Sequence, residues 1–386
     1  MNAFLAKIYA LRFFDAFVLI YPLYAVMFVD KGVSPLELST IMTAWSAATI
    51  VLHGPAGVAA DHWSRRWILC LAQVARCGGF LVWLAWPSFW GFLIGLALWG
   101  VKSAFTTGTY EAVVYDELRS VGREGEYAKV IGRAHAVQAA GVLLASLGAA
   151  GAIRFGYPLV LWLSVASGAV AAGCAAILPR APKLAEVHVG GFAAAVAETL
   201  GNRTVLGFMI PLLLATGLGG VLQDYGPVIV QDAGLTAAQI ALYMTALSAM
   251  KLIASAFAHR WRRLPAGWFG YGFLAQAALL GLVAAFLTPV TAWLLIVMAG
   301  VFKTMEINLE ARMQDASPSA VRATMGSLRA LGASAVFGGA VMGVGALAQA
   351  SSYRFGLAAL AVALAACGAA VVLARAARSR LEASGA

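Results

Sequence analysis

The stretch GVAADHWSRRW, Gly57 to Trp67, places an acid, an imidazole and two guanidinium groups between long runs of apolar residues. A second stretch, AFAHRWRRLPAGW from Ala256 to Trp268, repeats the bases and tryptophans without the acid. A pattern that returns after about half of a chain indicates two related halves. The apolar flanks of both stretches then decide the class of the fold.

The composition identifies a membrane protein. Of the 386 residues, 62% are hydrophobic and 11% are charged, and the mean hydropathy is +0.84. A helix that crosses the ~30 Å hydrocarbon layer needs ~20 apolar residues. Twelve such spans are predicted, at residues 6–29, 37–59, 67–86, 89–113, 128–153, 157–178, 204–231, 237–258, 267–287, 291–311, 323–349 and 353–374.

These runs are longer than barrel strands and lack polar alternation, so the predicted fold class is an all-α integral membrane protein. The first run is taken as a continuous helix one. It is longer than a signal-peptide core, and no small-residue cleavage site follows it.

The net charge of +10 comes from basic residues that are concentrated in alternate loops. This distribution argues against a nucleic-acid partner. With the amino terminus inside, the outer loops hold only Lys31, Arg154 and Arg354, while the other loop bases fall on the cytoplasmic side. This distribution predicts a multi-pass protein of a bacterial inner membrane with both termini cytoplasmic.

Two further pairs of motifs repeat between the halves. DKGVSPLELSTI from Asp30 returns as DAGLTAAQIALY from Asp232, and EAVVYD from Glu111 returns as EARMQD from Glu310. An even helix count gives both halves the same orientation. The predicted domains are a six-helix bundle at 1–178, a cytoplasmic linker at 179–203, a second six-helix bundle at 204–376 and a cytoplasmic tail at 377–386.

Twelve spans in two parallel halves with a charged loop after span two resemble the major facilitator superfamily of secondary transporters. The loop signature of that family runs roughly Gly-x-x-x-Asp-Arg-x-Gly-Arg-Arg, and the matching positions are Gly57, Asp61, Arg65 and Arg66. His62 and Ser64 depart from the signature.

The resemblance implies a conformational latch on the cytoplasmic side. Asp61 would cap the positive end of helix eleven, which begins near Arg322, and such a contact is worth ~0.3 to 1 kcal/mol when exposed. Arg65 or Arg66 would pair with the acid closing helix four, Asp116 or Glu117. Alternatively, the two arginines only anchor the loop on the positive side of the membrane.

Ionisable groups inside spans are costly, so each is a candidate for function. The resemblance implies a cavity lined by helices one, four, seven and ten. The predicted solute-binding residues are Lys102, Lys303, Asp224 and Lys251. Asp15 and Glu306 are the predicted proton-coupling residues, since each has a base three positions away whose ion pair a proton would release.

Helical spacing adds further expectations. Lys102 and Glu111 lie nine positions apart, so on a straight helix they point in opposite directions, and Gly108 between them can kink the helix. Glu111 is then expected near Arg133 or His135. Further expectations are that Lys303, Glu306 and Glu310 share one face, that Arg76 forms a structural pair or snorkels to the interface, and that Arg329 is a gate member or an anchor.

The predicted function is secondary active transport by alternating access, proton-coupled, with lysines that favour an anionic or zwitterionic solute. The alternatives are a drug or metabolite antiporter that exchanges its solute for protons, and a transport-inactive receptor of the same fold. The sequence shows no nucleophile constellation, metal motif or cofactor loop, so no enzyme is expected. The expected partners are a small solute, protons and lipids, and the expected state is a monomer.

The loss of the acid from the second charged stretch predicts unequal latches. Asp61→Asn is expected to change cytoplasmic accessibility more than His259→Asn, because only Asp61 carries the capping charge. Labelling of cytoplasm-facing cysteines in membranes measures this difference. Equal labelling of the two variants would contradict the asymmetry.

Overall fold

The computed structural model describes residues 2–179, 201–265, 267–316 and 322–383. Within these ranges, three short 3-10 turns lie at Glu124–Glu126, Ile153–Phe155 and Ala258–Trp261. The α-helices are α1 (Asn2–Ala16), α2 (Tyr24–Asp30), α3 (Pro35–His62), α4 (Arg65–Ala85), α5 (Phe89–Thr106), α6 (Thr109–Ser120), α7 (Tyr127–Ala152), α8 (Tyr157–Ala176), α9 (Arg203–Asp232), α10 (Ala237–Phe257), α11 (Trp268–Ala285), α12 (Pro289–Ala292), α13 (Leu294–Asp315), α14 (Arg322–Ala350) and α15 (Tyr353–Ala383).

The all-α membrane class is confirmed. Within the described ranges, 11 helical segments are long and apolar enough to cross a membrane, and they correspond to predicted spans two to twelve. The prediction of a continuous first helix is wrong, because the chain leaves α1 at Ala16 and does not resume a helix until Tyr24. The quoted stretch at 57–67 joins α3 to α4, as the sequence predicts.

The repeated motifs form the same local structure in both halves. Ser34 and Glu37 cap the start of α3 reciprocally, with Ser34 N donating to Glu37 Oε2 at 2.8 Å. Thr236 and Gln239 do the same before α10, with Thr236 N donating to Gln239 Oε1 at 2.9 Å. Both caps satisfy backbone groups that a helix start leaves unpaired.

Helix packing follows the repeat in part. In the first half, α4 packs on α5 and α8, and α1 packs on α7 and α8. In the second half, α11 packs on α13 and α15, and α9 packs on α13 and α14. The chain forms two compact units, Met1–His188 with Thr236–Ser248 and Val189–Leu235 with Ala249–Ala386. The predicted linker at 179–203 falls mostly outside the described residues.

Small residues bring α4 and α5 close together. A Cβ atom on Gly79 would lie 2.6 Å from the carbonyl oxygen of Gly95. Trp83 fills the adjacent space and donates from Nε1 to the carbonyl of Phe92 at 3.3 Å. Membrane helices use such small residues because association depends on close van der Waals contact.

Gly79→Ala is therefore expected to destabilise the protein by about 1 to 3 kcal/mol through overpacking. The neighbouring glycine provides a matched control, since a Cβ atom on Gly78 meets no atom within 4 Å. Thermal unfolding of the two variants in detergent measures the difference. A midpoint for Gly79→Ala equal to that of Gly78→Ala would contradict the close helix contact.

Candidate solute-binding site

The break between α1 and α2 is held by side chains of other helices. Ile20 N donates to Ser164 Oγ at 3.0 Å, and Ser167 Oγ donates to the carbonyl of Phe14 at 2.9 Å. Pro22 lies inside the break and brings no backbone donor. Non-helical backbone is tolerated inside a membrane protein when neighbouring groups satisfy it. The serines of α8 therefore satisfy backbone groups at the end of α1 and in the break that follows it.

Asp15, the next-to-last residue of α1, is the centre of a buried charge cluster. Its Oδ1 lies 2.6 Å from Lys102 Nζ and 3.3 Å from Arg76 Nη1, and it accepts a hydrogen bond from Gln73 Nε2 at 2.7 Å. Arg76 Nη1 also donates to the backbone carbonyl of Asp15 at 2.7 Å. One carboxylate is thus shared by two cations, of which Arg76 is 1% exposed.

The expectation that Arg12 is the partner of Asp15 is wrong. The guanidinium of Arg12 lies over the ring of Tyr110, 4.7 Å from its centroid. The bases that reach Asp15 come instead from α4 and α5. Of the two alternatives for Arg76, the structure shows the ion pair, because its side chain is buried against Asp15 rather than extended to an interface.

A polar cavity of about 290 Å³ opens beside this cluster. Asp15 and Lys102 lie on its wall, while Thr106 and Thr107 donate to helix carbonyls one turn earlier. The full lining consists of Arg12, Asp15, Lys102, Ser103, Thr106, Thr107, Glu111 and Gln138. The wall therefore combines two cations and two carboxylates with hydroxyl and amide groups.

Lys102 and Glu111 line the same cavity, contrary to the expectation from a straight helix. The predicted fourth span consists of two helices, because α5 ends at Thr106 and α6 begins at Thr109. Gly108 between them has φ +79°, a conformation that glycine adopts without strain. Glu111 Oε2 accepts a hydrogen bond from Gly108 N at 3.1 Å and so caps the new helix.

The second half carries its own set of ionisable side chains. Lys303 Nζ lies 3.1 Å from Glu306 Oε2, which confirms the predicted contact on α13. Lys251 Nζ donates to Gln223 Oε1, beside the partly buried Asp224. Glu310 pairs with Arg329 of α14 at 3.6 Å rather than with Lys303.

The predicted latch contact between Arg65 and Asp116 is present. Arg65 Nη1 donates to Asp116 Oδ2, and the two side chains are 21% and 10% exposed. Arg66 Nη1 donates to the carbonyl of Leu178 at 3.4 Å. Gly57 lies in the last turns of α3, and the side chain of Asp61 falls outside the described part of the chain. Asp61 as a helix cap stays a prediction.

The second charged stretch retains an ion pair of the same kind. Arg262 Nη2 lies 2.8 Å from Asp315 Oδ2, and Asp315 ends the EARMQD motif as Asp116 ends EAVVYD. The loss of the acid from the second stretch therefore does not leave Arg262 without an acidic partner. Its pair is far more exposed than that of Arg65, at 61% and 62%.

Gln73 is the one member of the Asp15 cluster that the sequence reasoning missed. Gln73 and Arg76 lie three positions apart on α4, so they share a face of an otherwise apolar helix. That spacing was the available signal. It does not show which carboxylate the pair contacts.

A family model described as Major Facilitator Superfamily matches residues 5–341. Solved structures with a similar fold include the nucleoside transporter NupG as a D323A mutant, with TM-score 0.78 and 14% identity over 97% of this chain and 99% of that one. A bacterial homologue of the human lysosomal transporter Spinster has TM-score 0.76 and 16% identity over 96% of this chain and 94% of that one. A D-xylose-proton symporter has TM-score 0.71 and 15% identity over 96% of this chain and 94% of that one. No curated protein sequence matches the chain.

Removing the shared carboxylate is expected to leave two buried cations without compensation. Asp15→Asn should destabilise the protein by about 3 kcal/mol or more, as for other buried pairs that lose one partner. A double-mutant cycle with Lys102→Met, followed by unfolding in detergent, measures the coupling between the two side chains.

The Lys303–Glu306 pair provides the control, because its side chains are 33% and 24% exposed. Its cycle, with Lys303→Met and Glu306→Gln, should give a coupling of about 1 kcal/mol or less. Additive effects of Asp15→Asn and Lys102→Met would contradict the buried pair.

Proposed function

The chain belongs to the major facilitator superfamily, and we propose that this transporter moves a small organic anion or zwitterion by alternating access. The observation that carries the proposal is the Asp15–Lys102 pair, 2.6 Å apart on the wall of a polar cavity. Lys102 shares its carboxylate partner with Arg76, so its ammonium group can also bind the anionic group of a solute.

The charge of the cluster favours an anionic group. Lys102, Arg76 and Arg12 bring three positive charges to this part of the first half, whereas Asp15 and Glu111 bring two negative ones. An anion that reaches Lys102 and Arg12 offsets the excess. Ser103 and Gln138 can donate hydrogen bonds to the rest of the solute. We also assign Lys251, Lys303 and Asp224 to solute binding in the second half.

We assign proton coupling to the same pair. When the carboxylate of Asp15 takes up a proton, it loses its charge, and the attraction that holds Lys102 to it weakens. Lys102 then contacts the solute. Glu306 and Lys303 have the same relation on α13, at 3.1 Å. A proton-coupled symporter is among the proteins of similar fold.

The proposed setting is a bacterial inner membrane, with both termini cytoplasmic and the protein a monomer. The excess of lysine and arginine in alternate loops supports this orientation. Arg65 and Asp116 would then hold the cytoplasmic ends of α4 and α6 together as part of the latch, with Gly57, Asp61 and Arg66 as its other members.

The solute class is tested by a thermal-shift screen of the purified protein against organic anions, zwitterions and lipophilic cations. A ligand raises the unfolding midpoint in proportion to its occupancy. Anions or zwitterions are expected to stabilise the protein, and Lys102→Ala should weaken their binding by about 2 kcal/mol or more, roughly thirtyfold. Lys102→Arg retains the charge, and Lys129→Ala removes an exposed lysine as the control. Stabilisation by cations alone would overturn the proposal.

Proton coupling is tested in vesicles with the solute so identified. Asp15→Asn and Glu306→Gln are expected to abolish the dependence of uptake on a pH gradient while solute exchange persists. An inwardly directed proton gradient that drives solute out would identify the antiporter instead. Intact proton-dependent uptake in both variants would overturn the assignment of these carboxylates.

A further inference from the structure

Side chains of α13 hold the turn between α10 and α11 in place. Asn308 Nδ2 donates to the carbonyl of Ala258 at 3.1 Å. Arg312 Nη2 donates to the carbonyl of Arg262 at 3.1 Å and also to that of Leu264. Three carbonyls of one short turn are therefore satisfied by two side chains of a neighbouring helix. These contacts hold the turn in place, and the side chains of Arg260, Trp261 and Arg263 in it are exposed.

Two of the exposed side chains of this turn carry positive charge. Arg260 and Arg263 are exposed, and within the described ranges neither forms an ion pair. Arg262 is compensated by Asp315, and Arg312 is engaged with the turn. Two guanidinium groups thus face outward at the end of a membrane-spanning helix.

Apolar and aromatic side chains continue from these bases along the helices. Ile253, Phe257 and Trp261 follow one another at four-residue intervals and are 53%, 45% and 45% exposed. The guanidinium of Arg260 lies over the ring of Phe257, 4.7 Å from its centroid. Trp261 stacks on Trp268 with centroids 5.6 Å apart. The exposed surface therefore has a cationic end at the turn and an apolar part that runs along α10 toward Ile253.

The corresponding turn of the first half is arranged differently. Arg65 and Arg66 are partly buried, and they donate to Asp116 and to the carbonyl of Leu178. Both bases of that turn are used within the protein. In the second half the bases Arg260 and Arg263 are directed away from it.

We propose that Arg260, Arg263, Phe257 and Trp261 form a binding site for an anionic phospholipid, here named the turn site. The two guanidinium groups bind the headgroup phosphate, and Phe257, Trp261 and Ile253 contact the glycerol region and an acyl chain. An anionic headgroup offsets the two charges, while the acyl chain covers the exposed apolar side chains. A free phosphate ion would satisfy only the first requirement.

The proposal is tested by titrating the full-length protein in detergent with phosphatidylglycerol and with phosphatidylcholine, and counting bound lipids by native mass spectrometry. The wild type should prefer phosphatidylglycerol. The double variant Arg260→Gln with Arg263→Gln should weaken phosphatidylglycerol binding at least roughly tenfold, since each arginine near an anionic headgroup adds to the attraction. Arg260→Lys with Arg263→Lys should retain binding.

The matched control is Arg119→Gln with Lys129→Gln, which removes two exposed bases of the first half. It should leave phosphatidylglycerol binding unchanged, and an equal loss in both double variants would overturn the turn site. Inorganic phosphate provides the second arm. Displacement of the lipid by phosphate at comparable concentration, or no preference between the two lipids, would also overturn the proposal.

Discussion

The buried carboxylate of Asp15 is the constraint on which the first half of this transporter depends. It lies at the end of α1, where the chain leaves the helix, and it is shared between Lys102 and Arg76. A buried charge is tolerated only with such partners. The pair therefore fixes the positions of α1, α4 and α5 relative to one another, and it places a lysine on the wall of the cavity. Ser164 and Ser167 of α8 complete the arrangement by satisfying the broken backbone.

The internal repeat explains both the similarity and the difference of the halves. Reciprocal caps begin α3 and α10, and an arginine of each charged turn pairs with the acid that closes a repeated motif. The two ion pairs differ in exposure because the first turn directs its bases inward. The second turn is fixed by Asn308 and Arg312, so its remaining bases are available at the surface. The same repeated pattern thus gives a partly buried ion pair in one half and an exposed ion pair with further exposed bases in the other.

The sequence predicts the membrane class and spans two to twelve, because hydrophobic length is a local property. The Arg65–Asp116 contact is one of the pairings that the family resemblance implies, and spacing alone does not select it from those that involve Arg66 or Glu117. The sequence does not predict the break after Ala16, since the serines that stabilise it lie far along the chain. The same reason explains the wrong partner for Asp15: spacing within a helix indicates Arg12, whereas the fold brings Lys102 and Arg76. The sequence indicates a kink at Gly108, but only the folded structure, with a positive φ at Gly108, shows that Glu111 reaches the cavity of Lys102.

The central claim is that the solute and Asp15 share Lys102. A cryo-electron microscopy map of the wild-type protein with its solute bound tests this claim most directly. The account predicts that the anionic group of the solute lies within hydrogen-bonding distance of Lys102 Nζ, and that the 2.6 Å contact between Lys102 and Asp15 is lengthened or lost. A bound solute that does not contact Lys102, with the ion pair intact, would contradict the account.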